Sequence, residues 1–272
     1  PGILGDDNKG SLRFTFDDET ETTPHIMSRT YNDTPNGTFG QFVRAVPVRE
    51  NDHGFMVLTG LAENLYYRTN LSLANLTDQY AHGINILVLD DAGEVIGNPV
   101  AVAVLPQSTT QIVRIAEQAG ILSDLDIFSL YVTTNNFDVS VSASIVDNAT
   151  GDPVFVETVA KDESVLWVPG LARLDGANNS VWRSDITFFN DSLDLESTRV
   201  EYISPETYQT GNPGMNLIIP SANAMFFANV LGDSMLPAGL QSKGYLVVTS
   251  VDDSPLPQIV AKTYNVDANG GT

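Results

Sequence analysis

The 272-residue sequence has no cysteine, three histidines, two tryptophans and only thirteen lysines and arginines. Without cysteine there are no disulfides, no thiolate metal sites and no cysteine nucleophile. Set against thirty-four Asp and Glu, the few basic residues leave a net charge of −21. Such a field repels nucleic acid and anionic lipid, so a polyanion-binding function is excluded. Long apolar runs are missing as well: the best candidate, Val95–Leu105, is interrupted by Gly97, Asn98 and Pro99 and falls short of the ~18 residues that read as a membrane span. No membrane insertion is expected. The chain begins at Pro1, which suggests a processed protein or an excerpt of a longer one, with any export signal already removed.

What is present suits a globular β protein. Hydrophobic residues make up 42% of the chain and charged residues 17%, enough apolar surface for real cores and too little charge for a disordered acidic tail. Apolar and polar residues alternate in Ser11-Leu12-Arg13-Phe14-Thr15-Phe16 and from Phe137 to Ile145, the period of half-buried strands. Turn signals lie between such runs at Asn36-Gly37, Asp90-Asp91-Ala92-Gly93, Asn148 to Pro153 and Asp175-Gly176. Two short stretches, Gln111–Gly120 and Met225–Ser234, read as helical connections.

Self-similarity is the stronger signal. Tyr67-Arg68-Thr69-Asn70 matches Trp182-Arg183-Ser184-Asp185, 115 residues on; Leu105-Pro106 matches Ile219-Pro220, 114 on; Leu130-Tyr131-Val132 matches Leu246-Val247-Val248, 116 on. A third, partial copy lies at the N-terminus, where Ser28-Arg29-Thr30-Tyr31-Asn32 aligns with Ala261-Lys262-Thr263-Tyr264-Asn265. We therefore expect an all-β protein of two tandem antiparallel β-sandwiches, residues 49–160 and 161–272, each of about 115 residues, preceded by a strand segment, residues 1–48, that lacks the rest of its domain. Residues 55–156 and 165–272 should superpose with Arg68 on Arg183 and Pro106 on Pro220.

The Trp182-Arg183-Ser184-Asp185 segment with its preceding Gly176-Ala177-Asn178-Asn179, and the Ala261–Asn265 segment, resemble tandem Ig-like repeats of exported bacterial surface proteins. Gly60-Leu61-Ala62-Glu63-Asn64 with Tyr67-Arg68-Thr69-Asn70, and Val146 to Pro153, resemble an alternate domain type in the same arrays. The resemblance implies Ig-like folds, export and modular architecture, and no catalysis.

Candidate chemistry is sparse. His25, His53 and His82 share no metal-ligand spacing and read as surface or strand-edge residues. Gly232-Asp233-Ser234-Met235-Leu236 resembles the nucleophile block of a hydrolase family, yet no histidine follows His82 to serve as its base. Ser234 is therefore not expected to react, and the chain is not expected to be an enzyme. The acidic pairs Asp6-Asp7, Asp17-Asp18-Glu19, Asp90-Asp91, Asp124 with Asp126, and Asp252-Asp253 leave interdomain calcium as the one open cofactor, although none reproduces a full calcium loop. Asp90 to Gly93 reads more simply as a hairpin turn. Asn-x-Ser/Thr sequons at Asn32, Asn36, Asn70, Asn75, Asn148, Asn178 and Asn190 read first as turn chemistry, with glycosylation as the rival. In the repeated pair, Tyr67 and Trp182 should face inward and Arg68 and Arg183 outward, each arginine paired with a carboxylate or stacked on an aromatic ring.

The expected function is a structural protein at the cell surface or outside the cell, self-associating head to tail into a filament. The spare N-terminal strands would complete the second sandwich of a neighbour by β-strand addition, with Phe39, Phe42, Val43 and Tyr264 at the subunit interface. The alternative is a carbohydrate- or surface-ligand-binding module of a larger secreted protein, with calcium as its candidate cofactor, using an exposed aromatic row for which Tyr66, Tyr67, Tyr202 and Tyr208 are available.

Overall fold

Alternation in the sequence becomes pleat in the structure. In the strand Val139–Asp147, residues Val139, Val141, Ala143 and Ile145 are buried while Ser140, Ser142 and Ser144 lie on the other face, as a strand with one face in a core requires. The computed structural model describes residues 12, 14, 26–35, 37–45, 55–134, 139–158, 164–207, 211–232 and 235–266. It is an antiparallel all-β protein.

An N-terminal hairpin pairs β1 (Met27–Thr34) with β2 (Gly37–Arg44) in continuous register, from Met27 opposite Arg44 to Thr34 opposite Gly37. A first unit follows, made of β3 (Phe55–Glu63), β4 (Tyr67–Asn75), β5 (Ala81–Leu89), β6 (Val95–Val104), β7 (Ser108–Ile112), β8 (Leu125–Thr133), β9 (Val139–Asp147) and β10 (Pro153–Glu157). Its two sheets have the orders β3-β8-β5-β6 and β10-β9-β4-β7. A core lies between them, with Leu58, Leu71, Leu73, Ile84, Ile86, Phe128 and Leu130 almost inaccessible.

A second unit comprises β11 (Val165–Asp175), β12 (Val181–Phe189), β13 (Glu196–Ile203), β14 (Gly214–Ile219), β15 (Ala224–Phe227), β16 (Ser242–Ser250) and β17 (Gln258–Val266). Here β11-β16-β13-β14 forms one face of the core and β17-β12-β15 the other, and the two are joined where the end of β11 pairs Leu174 with Trp182. Ile186, Phe188, Val200, Tyr202, Leu246 and Val248 fill this core. Among the described residues, the second unit shows no counterpart of β10, so β17 pairs with β12 alone.

The two expected helical stretches fare differently. The first is reduced to a single turn, α1 (Ile115–Gln118), entered through a left-handed Arg114. The second is not helical: Ala224–Phe227 pairs with β12, Phe227 opposite Ile186, and turns follow it. Phe227 packs edge-on against Phe188 of the second core, and that contact overrides a local pattern too short to hold a helix on its own.

The two units share local devices. At Thr59-Gly60 in β3, and again at Pro169-Gly170 in β11, the ladder slips between Leu58 and Leu61 and between Val168 and Leu171, with the glycines at φ 70° and 80°. These are bulges, which bend the strand and leave two residues unpaired before the ladder resumes at Leu61 and Leu171. Asn75 and Asn190, both inaccessible, close the ends of β4 and β12. Asn75 Oδ1 accepts from the Thr77 amide and hydroxyl, while its Nδ2 donates to the carbonyls of Gln79, Val104 and Leu105. Asn190 Oδ1 accepts likewise from Ser192, and its Nδ2 donates to Asp194 and Ile219 at 2.7 and 2.8 Å. These two Asn-x-Ser/Thr sequences are Asx turns stitched to the neighbouring strand, with no room for a sugar.

Asn190→Ala should therefore lower stability by about 2–4 kcal/mol in urea unfolding, because several buried backbone groups lose their partner. Asn190→Asp, which keeps the acceptor and loses the donor, should fall between the two. In a glycosylating host, peptide mapping should find Asn75 and Asn190 unmodified.

Candidate assembly interface

Residues on β17 and β12 whose side chains point away from the second core do not face water. Thr187 and Phe189 of β12 and Val260 and Lys262 of β17 turn toward the outer face of β3-β8-β5 in the first unit. There Phe189, Val57 and Leu89 form a small buried cluster flanked by Phe55, Tyr131 and Ala224, with Phe55 stacked on Tyr131 at 5.1 Å. Gly60 makes the fit. A β-carbon placed there would lie 3.1 Å from Val260 Cβ and 3.3 Å from Thr187 Oγ1, so the bulge glycine supplies both the positive φ and the clearance. At the rim, the Ala224 amide donates to the Asp91 carbonyl at 3.1 Å, and Gly93 packs directly on the Ala222 carbonyl.

Lys262 carries the polar part of the joint. Its ammonium lies 4.0 Å from the Tyr67 ring centre and 5.1 Å from that of Tyr264, and it donates to the Tyr67 hydroxyl at 2.9 Å. A cation half-removed from water is held by ring quadrupoles at little desolvation cost. Tyr264 Oη donates to Asp185 Oδ1 at 3.1 Å, and Asp185 also accepts the Asn229 amide. Burial first, and then the Asp185 charge beside it, push the Tyr264 phenol up to about 12, against a smaller opposing pull from Arg183.

The repeated aromatic-arginine pair occupies matching places. Arg68 lies opposite Val146 on the β4-β9 ladder and Arg183 opposite Tyr264 on the β12-β17 ladder. Tyr67 packs against the first core, as expected of an inward residue. Trp182 occupies the inward row of β12 with Ser184, Ile186 and Phe188, but at the open end of the sandwich, so it stays 39% exposed. Among the described residues Arg68 shows neither the carboxylate nor the aromatic partner expected of it: its Nη1 donates to Asn148 Oδ1 at 2.9 Å. Asn148 in turn holds the Leu65 carbonyl, so this third sequon also serves a turn.

The hairpin rests on its own chain's first unit, at β10. The Gly40 amide donates to Asp152 Oδ1 and Gln41 Nε2 to Ser144 Oγ, both at 3.0 Å, and Arg44 Nη2 meets Glu157 at 2.7 Å. These contacts run through side chains: among the described residues β1 and β2 form a sheet of two, outside both units' ladders. Phe39, Phe42 and Val43 do not form one apolar patch. Phe39 and Val43 are half-buried on the row of Gln41, whereas Phe42 lies on the opposite row, 62% exposed, opposite Arg29. Beside them Met27 and Tyr31 are 64% and 58% exposed, with the Arg29 guanidinium 5.1 Å from the Tyr31 ring centre and 5.8 Å from that of Phe42.

Among the described residues the remaining candidates contribute no shared site; Asp6-Asp7 and Asp17-Asp18-Glu19 lie outside them. Asp90 caps its own turn, accepting the Ala92 and Glu94 amides, and Asp126 accepts from Asn64. Among the described residues no three carboxylates or histidines converge on one point. His82 stacks on Tyr80 at the surface, while His25 and His53 lie outside the described residues. In the hydrolase-like segment, Met235 and Leu236 are buried in the second core, whereas Asp233 and Ser234 lie outside the described residues. A cleft of about 250 Å³ is lined by Arg173, Asp175, Arg183 and Gln241 among others; Asp175 already bonds Gln241, and Arg173 donates to the Leu231 carbonyl. No helix is long and apolar enough to cross a membrane among the described residues. No known family model matches the chain, and no curated protein matches its sequence.

Two measurements check the joint. Gly60→Val should destabilise more than Gly170→Val by about 1–2 kcal/mol, since both carry the backbone strain but only the first meets packed neighbours. In alkaline titration the unfolded phenol ionises near 10 while Tyr264 keeps its proton to about 12. Its contribution to stability is thus complete below pH 10 and is lost as pH rises from about 10 to 12. Unfolding of Tyr264→Phe should show a shallower decline across that window.

Proposed function

We propose that this chain is a non-catalytic structural subunit, exported to the cell surface or beyond, made of two copies of one Ig-like repeat and joined head to tail into a filament through its N-terminal hairpin. The observation that carries this reading is the spare hairpin. It belongs to neither unit's sheets, turns an apolar and cationic row to solvent, and precedes a second unit in which β17 has a partner on one side alone among the described residues. In the first unit β10 covers the corresponding edge of β9. A strand from a neighbour could do the same for β17, with Phe39 and Val43 as anchors, and Tyr264 lies on that strand. Donor and acceptor are different surfaces, so the contact propagates unless it closes into a ring. The acidic surface keeps such a polymer soluble and discourages lateral aggregation.

A second reading, a carbohydrate- or surface-ligand-binding module, rests on one feature. Trp167, 64% exposed, stacks on Tyr245 at 5.1 Å on an open sheet face, a flat aromatic platform of the kind sugars use. Among the described residues the tyrosines expected to form such a row do not: Tyr202 is fully buried against Ser242, Tyr67 lies under Lys262, and Tyr66 is exposed in the bend before β4, while Tyr208 lies outside the described residues.

Electron microscopy and light scattering of the purified chain separate the two readings. Filaments or a concentration-dependent series of multimers, abolished by deleting residues 1–48 and capped by added 1–48 peptide, are the expected result. Multimers that survive the deletion would refute the hairpin's role, and a monomer that is retained on insoluble polysaccharide would favour the second reading.

A further inference from the structure

The head-to-tail reading leaves open where the hairpin of one copy lands on the next, and the joint inside the chain answers this. The first unit holds Val260, Lys262 and Tyr264 of β17 along the outside of β3: Val260 over Gly60, Lys262 on Tyr67. The second unit contains the same seat, with no occupant among the described residues. Counting from the two bulges, Gly170 corresponds to Gly60, Val165 to Phe55 and Trp167 to Val57. On the neighbouring strands Val247, paired with Trp167, corresponds to Tyr131, paired with Val57, and Ile203 corresponds to Leu89. Val57 and Leu89 are buried by the joint, at 1% and 6%, whereas Trp167 and Val165 stand 64% and 38% exposed. A β-carbon at Gly170 would meet no atom within 4 Å, and Trp182, the counterpart of Tyr67, is open to solvent.

A matching key is also present. The outward row of β1 is Met27, Arg29 and Tyr31, and that of β17 is Val260, Lys262 and Tyr264: an aliphatic side chain, a cation and a tyrosine at alternate positions, within the aligned Arg29-Thr30-Tyr31-Asn32 and Lys262-Thr263-Tyr264-Asn265. In both rows the cation lies about 5.1 Å from the centre of its own tyrosine ring. One key is engaged and the other is exposed. The exposed one is held on the first unit of its own chain by Asp152, Ser144 and Glu157.

We propose that the exposed row of β1 in one copy seats on the outer face of β11, β16 and β13 in a second copy, with Met27 over Gly170, and Arg29 with Phe42 beside it on Trp182, so that Trp167 is covered as Val57 is covered within the chain. This inference rests on the head-to-tail reading and changes its contact from addition at the edge of β17 to packing on a face, so that the joint between copies repeats the joint within a copy. A cation-aromatic contact also suits the charge balance: Arg29 and Arg44 put two of the chain's thirteen basic residues on the hairpin of a molecule of net charge −21, and one copy's hairpin is thereby drawn to another copy's acidic body.

The test uses the full chain with Arg29→Glu as a broken key and Trp167→Ser as a broken seat; both side chains are exposed, so neither change empties a core. By sedimentation velocity each variant alone should lose self-association by at least about tenfold relative to the unaltered chain. An equimolar mixture should then recover one-to-one dimers and nothing longer, since each variant keeps the surface the other lacks. Multimers that persist in both variants but vanish on deleting residues 1–48 would overturn the face seat and leave the head-to-tail reading with edge addition. An unaltered chain that stays monomeric at every concentration would overturn the reading and the inference together. Loss of polysaccharide retention in Trp167→Ser, with self-association intact, would assign the platform to a sugar and overturn the proposal.

Discussion

The arrangement of the two units depends on one close approach, that of β17 and β12 to the back of β3 at Gly60. The outer face of a sheet is ordinarily wet, and here it is dry because the bulge removes a side chain where Val260 and Thr187 arrive. The contact is small, with Phe189, Val57 and Leu89 buried in it, so it relies on fit and on one cation-aromatic contact more than on area. The raised phenol of Tyr264 is a by-product of the same enclosure.

Within each unit the same problem, how to close a strand end that water cannot reach, is solved by the same residue at Asn75 and Asn190. An asparagine offers an acceptor and two donors from one short side chain, and both clamps use all of them. Elsewhere the units reach opposite solutions at matching places. Glu63 accepts the amides of Ala116 and Glu117, whereas Arg173, which lies as far beyond its bulge as Glu63 does, donates to the Leu231 carbonyl. What the position demands is a charged group able to satisfy backbone, and the sign follows from whether the nearby turn presents N–H or C=O.

Charge organises the surface. In a chain with 34 acidic and 13 basic residues, three cations stand out: Lys262 at the joint, Arg44 where the hairpin meets β10, and Arg29 within the hairpin, two of them over aromatic rings. A ring face attracts a cation without bringing another carboxylate to an already anionic surface. Interfaces built this way screen less with salt than pairs of exposed charges do.

Much of this was legible in the sequence, because a strand's faces follow from a period of two and need no knowledge of what lies beside them. Alternation identifies β9, while the alternating Ser11–Phe16 run lies almost wholly outside the described residues; the repeat match picks out β4 and β12, the Asp90–Gly93 turn is a hairpin, and Arg68 and Arg183 fall at matching points of their ladders. The same alternation separates Phe42 from Phe39 and Val43, so the sequence already argues against grouping them. The sequence also held the Asn75 and Asn190 clamps in the open, as sequons one repeat length apart, a spacing that marks structure over modification. It could not show that Ala224–Phe227 is strand, that Arg68 would find Asn148, or that the outside of β3 is buried. A helix of a few residues, a hydrogen-bond partner 80 positions away and a dry outer face are all settled by which surfaces meet. That is a property of the packed chain, since local pattern fixes which side of a strand is apolar and only tertiary packing decides whether the other side sees water.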